Sequence, residues 1–182
     1  MNSGKFISFW RWLARGSGGK PGFRRLVNAW LLLHVGVGVL LAWLVPVDSQ
    51  TAANTVLLPL VGVLIGLCFA WAGNAQALLQ GSEIQEMAQF HEGGFQEYVF
   101  TYQLAIFAIL VTLVAWALAG FGIFEKTWPT TDHARLYFTV KAILFTLSSL
   151  ALRECWHVVL GAQWMLLVQH AIKRAKKDKD NK

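Results

Sequence analysis

Arg153, Glu154 and His157 sit together at the edge of the last long apolar run of the sequence. Ionisable groups at or inside a membrane-embedded run are costly to bury, and they default to a functional reading. Arg153 and His157, four residues apart, share one helix face. Glu154 is turned about 100° away and is expected to reach another helix or another subunit. At similar depth the preceding runs supply Asn74, Gln76, Tyr102 and Gln103. Together these residues are expected to form a polar belt at the inner membrane boundary. As structure, such a belt fixes helix register through interhelical hydrogen bonds. As function, it is a gate or an ion-coordinating ring when several copies surround an axis. Lys141, on the outer side of the same run, is expected to snorkel toward the headgroups.

Other chemistries fail on spacing. His91-Glu92 begins like a zincin helix, but Phe95 stands where the second His is required. The remaining histidines, His34, His133, His157 and His170, form no ligand pair at helical spacing. His34 with His157 is the one arrangement that would suit a b-type haem between helices, the least favoured of the functional alternatives. Cys68 in mid-span and Cys155 near the inner end of the last span are expected at very different depths, as small buried hydrophobes without a disulfide. The segment Gly16-Ser17-Gly18-Gly19-Lys20-Pro21-Gly22 has Pro after the Lys and no preceding strand, so it is a linker and not a phosphate loop. Glu83, Glu86, Glu92 and Glu97 lack calcium-loop spacing and are expected to be solvated. No metal, no cofactor and no enzymatic activity are expected.

The elements that must position these groups are apolar. Of 182 residues, 55% are hydrophobic, with nine Trp and twelve Phe, beyond what an ordinary soluble domain of this size carries. Four runs, residues 26–47, 55–80, 99–121 and 133–154, each approach the roughly 20 residues that cross a bilayer core. They lack the alternation of barrel strands, so the expected fold is an all-α integral membrane protein with four transmembrane helices. The second span is expected to begin after Asn54 as N-cap. It contains Gly62, Gly66 and Gly73, a small-residue strip for close helix packing within one chain or between chains.

The formal charge of +6 gathers before the first run and after the last, which by the positive-inside rule makes both termini cytoplasmic. The expected location is a bacterial inner membrane. Residues 1–25 read as a basic interfacial helix followed by a Gly-rich elbow, with Trp10, Arg11, Trp12 and Arg15 at an anionic inner leaflet. The basic tail 173–182 carries no aromatic to stack bases, which argues against direct nucleic-acid binding.

Spans two to four are expected to continue into the cytoplasm. Residues 81–98 read as an acidic helical hairpin turning at Gly93-Gly94, and 155–172 as an apolar extension of the last span. A helix from Asp132 to Ala175 would be roughly 65 Å long, about twice the hydrocarbon thickness. Glu83, Glu86, Phe90, Glu92, Glu97 and Trp164 are the candidate contacts for a cytoplasmic protein partner. This layout resembles the small membrane subunits of bacterial anti-phage systems, including four-span partners of RNA-guided systems. The resemblance implies an oligomeric membrane sensor or effector working with a separate cytoplasmic protein, and assigns no residue. The expected function is a homo-oligomer that signals membrane state to such a partner; the alternative is a gated pore that depolarises the membrane.

Overall fold

A computed structural model describes residues 8–16, 22–79 and 94–180. The described residues are helical, with no strand among them. Helix α1 (Phe9–Arg15) leads through a 3-10 turn (Gly22–Arg25) to α2 (Ala29–Leu44). A short α3 (Ser49–Ala52) passes through a π turn (Ala53–Leu57) into α4 (Leu58–Leu79). Then come α5 (Gly94–Gly120), the short α6 (Ile123–Thr127) and the long α7 (Thr130–Asp180). Among the described residues, three segments are long and apolar enough to cross a membrane: Ser49–Trp71, Val99–Gly120 and His133–Arg174. At 16 residues, or about 24 Å, α2 falls short of that length, although it is just as apolar.

Local chemistry sets these boundaries. Asn28 caps α2 by accepting from the Trp30 N–H at 3.0 Å, and the helix stops at Leu44, just ahead of Pro46. The helical segment expected as the second span starts earlier than the sequence suggests, because Asp48 accepts the Thr51 N–H at 2.7 Å and caps the chain at Ser49. Asn54 is therefore not an N-cap; its side chain donates to the Gly120 carbonyl at 3.2 Å. The π turn falls just before Pro59, and the widened turn relieves the clash that the ring would make with the carbonyl four residues back. Gly122 adopts φ +68 to reverse the chain between α5 and α6, with the Gln50 side chain packed where a Cβ would stand.

Helix α7 is the axis of the bundle. It runs 51 residues, about 76 Å, with a break in helical geometry only at His133. Helices α2 and α5 lie antiparallel to it, as the pairs His34–Ser149 and Thr112–Leu147 show, and α4 lies parallel. The α2–α7 crossing is close because Gly38 has no side chain: a Cβ there would stand 2.0 Å from Thr146 Oγ1 and 2.6 Å from the Ala142 carbonyl oxygen. Ala42, Ala52, Ala53, Ala119 and Ala142 keep the same end of the bundle narrow around Trp116, Leu144 and Phe145. Trp116 satisfies its indole N–H on Ser148 Oγ at 2.7 Å, as a buried donor must.

At the other end, α1 does not present all its aromatics outward. Trp12, expected at the membrane surface, is buried, stacked near Phe9 and Phe100 and covering Gly22. A Cβ on Gly22 would lie 2.6 Å from the Trp12 ring, so the elbow glycine makes the seat for it. Trp10, Arg11 and Arg15 are exposed.

Candidate functional site

Lys141 is a charged group held inside the bundle. It is buried, and its ammonium donates to the carbonyls of Val45 at 2.6 Å and Val47 at 2.7 Å. Snorkelling to headgroups is replaced by internal solvation. Where α2 ends, those carbonyls have no helical partner, and a cation supplies their hydrogen bonds. Asp48 lies close enough to act electrostatically on Lys141. Its carboxyl is held below the usual carboxylate range, first by the Thr51 backbone and side-chain hydrogen bonds and to a lesser degree by the Lys141 charge.

One turn before Lys141 on α7, Tyr137 joins a second set of polar groups. Its hydroxyl accepts the Ser49 N–H at 2.8 Å and donates to Glu125 Oε1 at 3.2 Å. The same carboxylate oxygen accepts from Ser49 Oγ at 2.5 Å and from the Gln50 N–H at 3.0 Å. Glu125 of α6 thus holds the start of α3 against α7, doing for Ser49 and Gln50 what a capping side chain does. Ser49, Glu125 and Tyr137 were not among the expected site residues. The available signal was the spacing of Tyr137 and Lys141, one turn apart, together with an acid, Glu125, in the connection between the third and fourth apolar runs.

A pH dependence follows from Asp48. Because its folded-state pKa is depressed, its contribution is fully present above the ordinary Asp value of about 4 and is lost as pH falls below it. Thermal unfolding followed from neutral pH into acid should therefore show an acid limb that Asp48→Asn flattens, while leaving neutral-pH stability nearly unchanged because Asn also caps.

The expected belt residues are placed as follows. Arg153 Nε and Glu154 Oε1 pair at 3.4 Å, so Glu154, which is buried, folds back toward its own neighbour. Tyr102 is half-buried with its hydroxyl against Gly161, where a Cβ would meet it at 3.1 Å. His157, Gln103 and Asn74 are exposed, and Asn74 lines an outward groove with Trp71, Ala77, Ala162, Leu166 and Gln169. His34 is buried and paired through Nδ1 with Ser149 Oγ at 2.8 Å. Glu83, Glu86, Phe90 and Glu92 lie outside the described residues, as do the side chains of Gln76 and Glu97. Trp164 is exposed.

Gly62, Gly66 and Gly73 of α4 all point away from the bundle, with nothing within 4 Å of a Cβ built on any of them. Cys68 and Cys155, placed at different depths by the sequence, share one buried cluster with Val61, Ile109 and Ala151. The earlier start of the helical segment that carries Cys68 is the reason. Ser49 pairs with Tyr137, and Cys68 and Cys155 follow by 19 and 18 residues on parallel helices, nearly the same rise. No cluster of three His, Cys, Asp or Glu suited to a metal occurs among the described residues. No protein-family model, curated protein or solved structure matches the chain.

Proposed function

We propose that this chain is a four-span inner-membrane protein with both termini in the cytoplasm, which self-associates and signals membrane state to a cytoplasmic protein partner. The observation that carries the reading is the length of α7. Its roughly 76 Å exceed twice the hydrocarbon thickness, and its far half still displays large apolar side chains. Trp156, Leu160, Trp164 and Leu167 are exposed there, with Leu167 at 70%. An anchor needs no such surface; a docking platform does.

Supporting features point the same way. Trp30 and Trp43, both exposed at opposite ends of α2, suit the two interfaces of a thinned bilayer and make α2 the fourth crossing. The outward small-residue face of α4 suits a second copy, since small residues let backbones approach closely in lipid. The cations Lys173 and Arg174, exposed on α7, suit a cytoplasmic end. A gated pore is the second reading, favoured by the outward groove containing Asn74 and Gln169, which association would turn toward an axis. We hold a haem role third, since His34 is committed to Ser149.

The double variant Trp164→Asp with Leu167→Asp tests the reading. It should remove co-purification of the partner from mild detergent extracts while membrane insertion and oligomer size stay as in the parent chain. Unchanged recovery would reject the platform.

A further inference from the structure

We propose that the seam between α4 and α7 holds one anionic phospholipid, with its phosphate on the amides of Asn74 and Gln169 and an acyl chain in the apolar groove beside Leu64. Two hollows lie along this seam. One, of about 680 Å³, opens between α2 and α4 over a floor of α7, where Phe145, Ala151 and Leu152 face Leu41, Leu60 and Leu64. Ser148 and Ser149 in that floor are engaged with Trp116 and His34, so the wall offered to a ligand is apolar. The other hollow, of about 750 Å³, is lined by Trp71, Asn74, Ala77, Ala162, Leu166 and Gln169. Both fall in the size range of ligand sites. Leu60, Leu64, Leu67, Trp71 and Asn74 recur at helical spacing, so one face of α4 runs from the first hollow to the second, and Leu67 between them is exposed.

The occupant follows from the order of chemistry along that face. The segment of α4 apolar enough to cross a membrane ends at Trp71, and Asn74 stands about one turn beyond it. From Leu64 to Asn74 is about 15 Å of helix, half the thickness of the hydrocarbon core, so an acyl chain that reaches the groove leaves its headgroup at the amides. Trp71 sits at the join, where an aromatic suits the headgroup boundary. The amide N–H groups donate to phosphate oxygens, and Lys173, exposed one turn after Gln169 on the same face of α7, supplies the charge that favours an anionic headgroup. Side chains on a helix lean toward its N-terminus, which tips this lysine back toward the amides. An apolar helix of a second copy would fill the groove and leave the polar end unanswered. The outward glycines Gly62, Gly66 and Gly73 lie roughly 140° around α4, and Trp164 lies on another face of α7, so the site is separate from self-association and from the partner platform.

The test uses the full chain in mild detergent, incubated with palmitoyl-oleoyl phosphatidylglycerol or with phosphatidylcholine of the same chains, washed, and weighed by native mass spectrometry. The proposal expects one phosphatidylglycerol to be held per chain and phosphatidylcholine to be lost several-fold more readily. Glycerol phosphate and the dihexanoyl form of phosphatidylglycerol, which lack a chain long enough for the groove, should not be retained. Gln169→Leu and Lys173→Gln should each cut phosphatidylglycerol retention several-fold, and Leu64→Trp, which fills the groove, should cut retention of both long-chain lipids. Val114→Trp, on an exposed face of α5, should change neither. Equal retention of the two lipids by the parent chain would overturn the proposal, as would retention of glycerol phosphate alone, or full phosphatidylglycerol retention by both Gln169→Leu and Leu64→Trp. Leu64→Trp that dissociates the oligomer and still keeps the lipid would assign the groove to a second copy and overturn it too. The parent-chain comparison decides the matter even where a variant folds poorly.

Discussion

Lys141→Ala is expected to lower stability by roughly 3 kcal/mol or more, since it removes two charge-assisted hydrogen bonds and leaves the Val45 and Val47 carbonyls without their donor. In a chain of this size that corresponds to a fall of about 6–12 °C in the unfolding midpoint, measurable by tryptophan fluorescence in detergent. Lys141→Met keeps most of the aliphatic stem and should fall between the parent and Lys141→Ala. The Met-to-Ala difference then reports packing, and the remaining loss reports the ammonium. Both variants should also loosen the connection from α2 to α3, because the lysine ties residues 45 and 47 to the N-terminal part of α7. A Lys141→Ala midpoint equal to the parent's would show that the ammonium is dispensable to the fold.

Gly38→Leu is expected to be at least as damaging. A Cβ alone would stand 2.0 Å from Thr146 Oγ1, 2.6 Å from the Ala142 carbonyl oxygen and 2.8 Å from the Thr146 amide nitrogen, and two of these are backbone atoms that cannot swing aside. Overpacking of this kind costs about 3 kcal/mol and, against backbone, more. The relief available is separation of α2 from α7, which would also break the His34–Ser149 and Lys141–Val45 contacts on the same crossing. Gly66→Leu is the matched control. Nothing lies within 4 Å of a Cβ there, so the folded monomer should keep its unfolding midpoint. Its effect should fall on association, read as a shift toward smaller species in detergent at equal concentration.

The contrast between Gly38 and Gly66 shows how far the sequence could be read. Hydropathy exposes apolar helices wherever lipid is the solvent, so the runs that became α2, α4, α5 and α7 were legible, as was the continuation of the last one beyond the bilayer thickness. Which glycines meet a neighbour was not, because both lie on apolar helices of similar composition and the choice depends on how the helices are arranged around α7. The same holds for Trp12: its cationic neighbours suggest a lipid surface, and only the proximity of Gly22 and Phe100 makes burial available. Lys141 was visible as an anomaly, but its partners are main-chain carbonyls, which carry no sequence signature. Cys68 and Cys155 came together because a cap at Asp48 starts the second span about a turn and a half earlier than Asn54 suggested. A boundary error of that size changes which residues share a depth.

The central claim is that the far half of α7 leaves the membrane and meets a protein. A photoreactive amino acid placed in intact cells at Trp164, and separately at Ile143 in the membrane-spanning part, tests it most directly, since both side chains are exposed on the same helix. The account predicts a discrete adduct with a cytoplasmic polypeptide from position 164 and only lipid adducts from position 143. Lipid adducts alone from both positions would contradict it.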